Sequence, residues 1–561
     1  MIKLTGSRKR VLVIGLDGVT WDLIIPWMNK GKLPILKKTT ESGASCRLAS
    51  TVPCLSAPAW ASLVTGRNPG GHGIFGWVQA RPKSYEMVTV NSTFVDGRPL
   101  WDILGEADIK VGVVNVPICY PAEKVNGFLV SGILTPRHKM KESTYPPSLY
   151  EVLTNELDEF RFNIEPGYIG IGETEDLLLR DLYHTLDNQL KATIYLMNKC
   201  YWDFFFVVFM GTDNIQHFFW KYMDPKHPQY NAQDSEKYGQ EIQKYYQKLD
   251  GVVGDLIDHA GERTMVIILS DHGFGPKYRE ILINNWLLNE GLLKTRKAVL
   301  IKELILKLGL RKTVSNLIIR SGLIKIVNLL SRNLLRKIIR SLSPIGNIDW
   351  SKTRAYSLTE GTIYINLKGR QPNGIVEAGE EYETLRDKII RGLLKVKDPL
   401  SGDYVVEEVV KKEELYSGPH LKEAPDLVAI ANNGRCQPFI TDDRNVVLTP
   451  LDSNRTPLDR WSGTHRRIGI ATFSGDNIVK NKMVDADIVD IAPTILYLLG
   501  LPIPSDIDGK VLENIIDPSY LAKNPIKYLR EPKEPIETRK EILSEEDEEK
   551  MRERLVALGY L

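Results

Sequence analysis

The feature that most constrains the fold is a series of short apolar runs, several of them apolar on both faces, that alternate with helical stretches. The runs are "VLVIGL" from position 11, "VGVVNVP" from 111, "FFFVVFM" from 204, "TMVIILS" from 264 and "IGIATFSG" from 468. Strands that are apolar on both sides are typical of a mostly parallel sheet with helices on both faces. The sequence therefore predicts an α/β fold with a three-layer core. Functional residues are expected just after these runs, where ligand-binding loops leave such a sheet.

Two regions interrupt this alternation. The first, residues 285–349, is dense in Lys and Arg. Its apolar residues recur at helical spacing with basic residues on the opposite side, which predicts a basic amphipathic helical cap, centred on residues 296–342. The second, residues 350–440, has strand-like segments on either side of the helical segment "EEYETLRDKIIRGLLKV". This pattern predicts a small α/β region inserted before the sheet resumes.

The remaining segments complete a predicted division into five parts. Residues 1–284 are predicted to form the first part of the core, and residues 441–516 to close it. Residues 517–561 combine a Pro-rich strap, predicted to be extended, with a charged terminal helix. Ser544 and Asp547 have the spacing of a pair that caps the start of this helix.

Composition excludes several classes of protein. The chain has 561 residues, 26% of them charged, and a formal net charge of +2, which is typical of a folded globular protein and requires no nucleic acid as a partner. Its five cysteines are scattered without a Cys-x-x-Cys pair, which favours a reducing compartment, and we expect a cytoplasmic location. Apolar runs long enough to span a bilayer are absent from the sequence.

Acidic residues and histidines cluster at the ends of the predicted strands. The candidates are Asp17 in "GLDG", Asp213 and His217 in "GTDNIQH", Asp271 and His272 in "SDHGF", and His465 in "GTH". On a helix, the spacing of Asp213 and His217 would place both on one face, where they can share a metal ion.

Each candidate has a simpler interpretation when it is taken alone. Asp17 could cap a helix or form a turn, His465 could lie in a solvated loop, and Asp213 with His217 could be a surface pair. All of them together at strand ends are hard to explain in this way. Three carboxylates and three imidazoles suit two divalent ions, with zinc first and manganese or iron next. Because three negative charges do not balance two dications, the site calls for a phosphate or sulfate ester and an anionic nucleophile.

The nucleophile is expected in "TVPCLSAPAW", where Cys54 and Ser56 are two residues apart. A serine oxygen that coordinates a divalent ion loses its proton near neutral pH, so Ser56 can attack without an adjacent general base. Cys54 is interpreted as a small buried residue, the usual fate of a free thiol. Ser56 could also be an ordinary helix-start residue, since Pro58 lies near the first turn of a predicted helix.

In their order along the chain, "GLDG", "SAPAWASLVTGRNPGGHGI", "GTDNIQH", "SDHGF" and "GTH" resemble the type I phosphodiesterase and nucleotide pyrophosphatase branch of the alkaline phosphatase superfamily. The resemblance implies an alkaline-phosphatase-like core and a nucleophile at Ser56. It also implies two metal sites. One would be formed by Asp213, His217 and His465, and the other by Asp17, Asp271, His272 and the Ser56 oxygen.

The chain departs from that branch and from two related families. Trp77 stands where nucleotide pyrophosphatases usually have an Asn that binds phosphate, which weakens the nucleotide reading. Trp60 replaces the Arg of the sulfatase motif, and the serine motif of cofactor-independent phosphoglycerate mutases is absent from the sequence.

The resemblance and the residues together predict a two-metal phosphoric-ester hydrolase with a phosphoseryl intermediate. A diester or pyrophosphate is favoured over a monoester, because no Arg stands beside the nucleophile. A phosphomonoesterase and a phosphotransferase remain alternatives. The substrate would be a small phosphate ester or a lipid. From another class of function, the basic helix at 296–342 could serve a protein that binds membrane surfaces.

Overall fold

The computed structural model describes residues 9–81, 83–157, 159–164, 174–296, 347–440, 445–448, 461–529 and 544–558. In this part of the chain the strands are β1 (Arg10–Leu16), β2 (Ala44–Ala49), β3 (Val78–Ala80), β4 (Met87–Thr89), β5 (Val111–Val114), β6 (Gly127–Val130), β7 (Thr144–Tyr145), β8 (Phe204–Phe209), β9 (Thr264–Leu269), β10 (Gly273–Pro276), β11 (Arg279–Leu282), β12 (Ala355–Tyr356), β13 (Thr362–Ile365), β14 (Val406–Lys411), β15 (Leu427–Ala431), β16 (Gly434–Gln437), β17 (Val447–Leu448), β18 (Gly463–Arg466), β19 (Ile468–Ser474) and β20 (Lys482–Asp487).

The α-helices of the same residues are α1 (Trp21–Asn29), α2 (Pro34–Ser42), α3 (Ser56–Thr65), α4 (Pro69–His72), α5 (Leu100–Glu106), α6 (Ser148–Glu156), α7 (Thr174–Lys199), α8 (Gly211–Met223), α9 (Ala232–Tyr238), α10 (Glu241–Ala260), α11 (Ile283–Asn289), α12 (Glu380–Leu393), α13 (Lys412–Leu415), α14 (Ile491–Leu498), α15 (Pro518–Lys523) and α16 (Glu545–Leu558).

A nine-stranded central sheet confirms the predicted α/β class. Its strand order is β20-β2-β19-β9-β1-β8-β5-β6-β7, and all five predicted apolar runs are strands in it. Strand β1 pairs in parallel with β8 and β9, whereas β19 runs antiparallel to β9 and β2. The sheet is therefore mostly parallel, with the last apolar run reversed.

Strand β1 shows why these runs form the centre of the sheet. Leu12, Val13 and Ile14 are all fully buried, and Val13 lies in register with Phe206 on one side and Ile267 on the other. Successive side chains of a strand point to opposite faces, so both faces of the sheet are covered. Because β1, β8 and β9 are parallel neighbours, the residues that follow them leave the sheet at one edge.

Residues 350–440 form a smaller unit with its own apolar core. Strands β12, β13, β15 and β14 make an antiparallel sheet, and α12 supplies Leu385, Ile389 and Leu393 to this core. The predicted strands and helix are confirmed, but the antiparallel pairing makes the unit locally α+β. Strand β11 connects it to the rest of the chain, because β11 pairs with β16 and β17.

The C-terminal segment agrees with the prediction only in part. The prediction of an extended strap is wrong at Pro518–Lys523, which is helix α15. Asp517 explains the difference, because its carboxylate accepts hydrogen bonds from the Ser519 and Tyr520 amides and so caps the helix. The capping pair of the terminal helix is present, with the Asp547 amide donating to Ser544 Oγ at 3.2 Å.

The predicted basic helix cannot be compared with the fold, since residues 297–346 lie outside the described residues. None of the helices that are described is long and apolar enough to cross a bilayer.

Candidate active site

The strand ends deliver the predicted site residues to one place. Asp17 follows β1, Asp271 and His272 follow β9, Asp213 and His217 lie in the first two turns of α8, His465 lies in β18, and Ser56 is the first residue of α3. Each of these seven residues is buried or nearly so. The predicted helical spacing of Asp213 and His217 is confirmed by α8.

One group of donors surrounds Asp213. Its Oδ1 lies 3.2 Å from His217 Nε2 and 3.1 Å from His465 Nε2. The two Nε2 atoms are themselves 3.1 Å apart. A carboxylate and two imidazoles thus converge on one point, as the resemblance implied for the first metal site.

A second group surrounds His272. Its Nε2 lies 3.3 Å from Asp271 Oδ2, 3.6 Å from Asp17 Oδ1 and 3.3 Å from Ser56 Oγ. Two triplets have ligand atoms within 4.8 Å of one another, namely Asp17 with Asp271 and His272, and Asp213 with His272 and His465. His272 therefore lies between the two groups.

All three imidazoles are held in the same way. The Nδ1–H groups donate to backbone carbonyls: His217 to Gly463 at 2.9 Å, His272 to Gly273 at 3.0 Å and His465 to Cys54 at 2.8 Å. A carbonyl oxygen can only accept, so in the neutral rings the proton is on Nδ1 and the lone pair is on Nε2. Each lone pair faces the carboxylates, which is the orientation of a metal-binding histidine.

Two of the carboxylates each accept a hydrogen bond through one of their two oxygens. The Trp60 indole N–H donates to Asp17 Oδ2 at 3.0 Å, and the Gly18 amide donates to Asp271 Oδ1 at 3.2 Å. The other oxygens, Asp17 Oδ1 and Asp271 Oδ2, are buried and accept no hydrogen bond from the described residues. Unsatisfied buried carboxylate oxygens are costly unless a cation binds to them.

The pKa values of the site residues also indicate that a cation would bind there. Burial raises the pKa of Asp17 well above its ordinary value, and the Asp271 and Asp213 charges raise it further. Burial likewise raises the pKa of Asp271 to about 7 and lowers the pKa of His217 to about 4. Without a cation, Asp17 and Asp271 thus retain protons and His217 loses its proton, whereas His217 and His465 hold the pKa of Asp213 well below its ordinary value despite burial. A divalent cation would favour release of the two carboxyl protons and would bind the neutral imidazole.

The residues present therefore fit two divalent metal ions. Nitrogen and carboxylate donors, fixed tautomers and two unsatisfied buried oxygens are what such ions require. The donor set favours zinc, manganese or iron over calcium or magnesium, and it does not distinguish among the first three.

Ser56 lies at the amino end of helix α3, with Leu55 as the N-cap and Pro58 as the third helical residue. Its hydroxyl faces the lone pair of His272 Nε2, so Ser56 is the donor in this contact. The thiol of Cys54 differs from this hydroxyl, because burial raises its pKa to about 12 and keeps it protonated. The geometry places the hydroxyl at the cluster, while Cys54 contributes its backbone carbonyl to His465.

Two functional contacts were not predicted from the sequence. Trp60 was considered only as a replacement for an Arg, yet it holds Asp17. Trp461 lies stacked on His217, with ring centroids 3.4 Å apart. Its position directly before "SGTH" was the only available signal. Trp77 is buried, 1% exposed, which agrees with a packing residue in place of a phosphate ligand.

The sequence profile of the family described as type I phosphodiesterase / nucleotide pyrophosphatase matches residues 11–436. The chain belongs to this family. The resemblance predicted from the motifs is thereby confirmed, and the chain is a member of a phosphoester hydrolase family of the phosphodiesterase and pyrophosphatase type that is generally metal-dependent.

Solved structures similar to this family member include murine ectonucleotide pyrophosphatase / phosphodiesterase 5, with 14% identity over 91% of this chain and 100% of that chain and a TM-score of 0.47. An inactive form of the murine protein in complex with AMP matches with 14% identity over 88% of this chain and 95% of that chain, with a TM-score of 0.45. Phosphonoacetate hydrolase from Sinorhizobium meliloti 1021, in complex with phosphonoacetate, matches with 14% identity over 88% of this chain and 95% of that chain, with a TM-score of 0.49. No curated protein sequence matches the chain.

Proposed function

We propose that this chain hydrolyses a phosphate ester through Ser56, with two divalent ions held by the surrounding carboxylates and imidazoles. Asp213, His217 and His465 would hold one ion, and Asp17, Asp271 and His272 with the Ser56 oxygen would hold the other. The observation that carries the proposal is the common orientation of the three imidazoles, whose Nδ1–H groups are bound by backbone carbonyls while their Nε2 atoms face the carboxylates.

When bound, the ions would supply Lewis acidity toward the phosphate oxygens and lower the pKa of the serine hydroxyl. Ser56 Oγ forms a bond to phosphorus while the bond to the leaving oxygen breaks, and that oxygen departs with the electron pair and takes up a proton. Water then attacks the phosphoserine, which releases the phosphate product and returns a proton to Ser56 Oγ. The amino end of α3 adds a partial positive charge beside the phosphate.

A diester or a pyrophosphate is the proposed substrate class. A monoester has an additional charged oxygen, and enzymes that bind one commonly place an Arg beside the nucleophile. At this position the chain has Ala57, Pro58, Ala59 and Trp60 after Ser56. A monoester substrate and transfer of the phosphoryl group to an alcohol remain alternatives within the same chemistry.

The first experiment compares bis-p-nitrophenyl phosphate with p-nitrophenyl phosphate as substrates of the purified protein, with zinc or manganese added. We expect the diester to be turned over faster, and Ser56→Ala to lower kcat/KM by roughly a thousandfold or more, because the nucleophile is lost. Asp271→Ala should lower both the activity and the metal content.

Cys54→Ala is the matched variant, because Cys54 lies two residues from Ser56 and its contact with His465 is made by the backbone carbonyl, which the substitution keeps. It should keep the diesterase activity. Loss of activity in Cys54→Ala together with retention in Ser56→Ala would contradict the assignment of the nucleophile. A protein that binds no divalent metal would contradict the two-metal proposal as a whole.

Membrane contact through residues 296–342 stays a prediction, since nearly all of this segment lies outside the described residues, and so does the cytoplasmic location. Flotation with anionic liposomes, with and without this segment, tests the contact. Absence of binding by the intact chain would remove it.

A further inference from the structure

The small α+β unit reaches the metal-binding cluster through a row of stacked side chains. Trp461 is 1% exposed and lies over His217 with an angle of 20° between the ring planes. The guanidinium of Arg435, on strand β16, lies over the same indole at 4.4 Å from the ring centroid. Glu360 then binds Arg435 Nε at 2.6 Å.

The turn that carries Glu360 is itself fixed to strand β16. The Gly361 amide donates to the Cys436 carbonyl at 3.1 Å. Arg435 is 4% exposed, so its ion pair with Glu360 is shielded from water and from salt. The carboxylate, guanidinium and indole are thus held in one arrangement by the small unit.

The imidazole of His217 needs more than its hydrogen bond to be fixed. The bond from Nδ1 to the Gly463 carbonyl sets one direction of the ring, and Phe274 meets the ring edge-on with centroids 4.7 Å apart. The indole stacked on the face of the imidazole fixes its plane, because turning the ring would separate the two planes. A guanidinium over the indole adds a cation–π attraction that holds the indole in place.

We propose that Trp461 and Arg435 are positioning residues that fix the plane of His217 and so complete the metal site formed with Asp213 and His465. The inference rests on the proposed function. It assigns a role to residues 350–440, which contribute none of the seven predicted site residues. Through Arg435 and Glu360 this unit contributes to metal affinity from outside the cluster.

The test measures metal binding directly. Zinc(II) dissociation constants are obtained by competition with a chromogenic chelator, and the visible spectrum is recorded for the cobalt(II)-loaded protein. Trp461→Leu should weaken one of the two bound equivalents by roughly tenfold to a hundredfold, the range found when residues that orient metal ligands are removed. It should also change the cobalt spectrum, whereas Trp461→Phe, which keeps an aromatic face, should remain close to the unchanged protein.

Arg435→Met tests the second step with less disturbance of packing. It keeps most of the apolar stem and removes the charge, so we expect a smaller loss of zinc affinity in the same equivalent. This variant keeps the inference testable if Trp461→Leu fails to fold.

The chain offers a matched control at Trp202, which is 1% exposed and has Arg10 over its ring at 3.5 Å. Trp202 precedes β8 and so lies at the amino ends of the parallel strands, whereas the cluster lies at their carboxyl ends. Trp202→Leu should lower the melting temperature without changing either metal equivalent.

The results distinguish this inference from the function on which it rests. Zinc binding by Trp461→Leu and Arg435→Met that equals that of Trp202→Leu would overturn the positioning role and leave the proposed function intact. A wild-type protein that binds no zinc or cobalt would overturn both.

Discussion

Single polar contacts orient the side chains of this site. Trp60 provides the clearest case, because its indole N–H is the donor that holds Asp17 Oδ2 and so leaves Oδ1 directed at His272. The residue is fully buried, and its ring also packs on Phe206 of strand β8. One side chain thus connects the sheet core to a carboxylate of the candidate site.

Trp60→Phe should lower metal affinity by about tenfold, because Asp17 loses the partner that orients it. Chelator competition measures the effect. Trp101→Phe is the control, since the Trp101 indole donates to Glu123 at 2.9 Å in the same kind of bond away from the cluster. Equal metal affinity in the two variants would show that the bond to Asp17 has no influence on the metal.

Gly15 is required for Trp60 to lie where it does. A Cβ at this position would come within 2.6 Å of the Trp60 ring and 2.8 Å of Val208. We expect Gly15→Ala to lower the free energy of unfolding by about 1–3 kcal/mol through overpacking, as measured by urea denaturation. Gly251→Ala in helix α10, where a Cβ meets nothing within 4 Å, should instead stabilise the protein by about 0.5–1 kcal/mol. A Gly15→Ala variant as stable as the unchanged protein would show that Trp60 can shift at little cost.

At the scale of the element, the half-buried Asp102 of helix α5 lies near a second half-buried acidic residue, Glu123, in the segment before β6. Burial and the Glu123 charge together raise the pKa of Asp102 to about 7, against the opposing effect of Arg98. The pKa of Glu123 is raised as well, chiefly by burial. The folded state therefore holds protons here that the unfolded chain releases near pH 4.

These raised pKa values make the free energy of unfolding depend on pH. The folded state binds these protons more tightly, so stability falls as the pH rises from about 4 to about 7. Asp102→Asn should flatten this part of the profile and raise stability at pH 8 relative to the unchanged protein. Urea denaturation at pH 5 and pH 8 measures the free energy of unfolding of both proteins. Asp485→Asn, which removes an exposed partner of Arg47, serves as the control. If the stability of Asp102→Asn changed between pH 5 and pH 8 as much as that of the unchanged protein, other titratable groups would cause the pH dependence.

At the scale of the whole molecule, the described part of the chain contains two large apolar cores. One surrounds the central sheet, and the other lies in the small unit between α12 and its sheet. Asp426 is central to the second, because this fully buried carboxylate binds Arg370, Lys412 and the Tyr382 hydroxyl. These partners hold its pKa at about 2 despite the opposing effect of burial.

Asp426→Ala should destabilise the small unit by roughly 3–5 kcal/mol, because it leaves buried cations without their partner. Hydrogen exchange is the measurement, with loss of protection expected in β13 and β15 and little change in β1, β8 and β9. Equal loss in both sets of strands would show that the two cores unfold as one.

Several structural features of this protein follow from local sequence alone. Apolar runs identify the strands of the central sheet because two-sided burial selects such residues wherever they occur. Residues placed after parallel strands must meet at one edge, so Asp17, Asp271 and His272 were predictable as neighbours. The pairing of Asp213 with His217 follows from helical spacing.

Other features depend on contacts between residues that are distant in sequence. Ser56 meets His272 across 216 positions and His217 meets His465 across 248, and here the family motifs supplied the connection. For Trp60 and Arg435 no local pattern indicates a role, and for Trp461 the only signal is its position directly before "SGTH". An indole that packs on a histidine of the candidate site has the same kind of local sequence as one in any apolar core.

The sequence by itself determined the class of fold, the edge of the sheet at which the candidate site lies and the residue types that form it, because periodicity, spacing and donor chemistry are local properties. The tertiary structure alone decided which imidazole nitrogen faces the carboxylates, which carboxylate oxygens are left without a donor, and that the small unit stacks Arg435 on the indole of Trp461. Most of these features depend on distances between separate segments of the chain. Only the packing of the folded chain sets such distances.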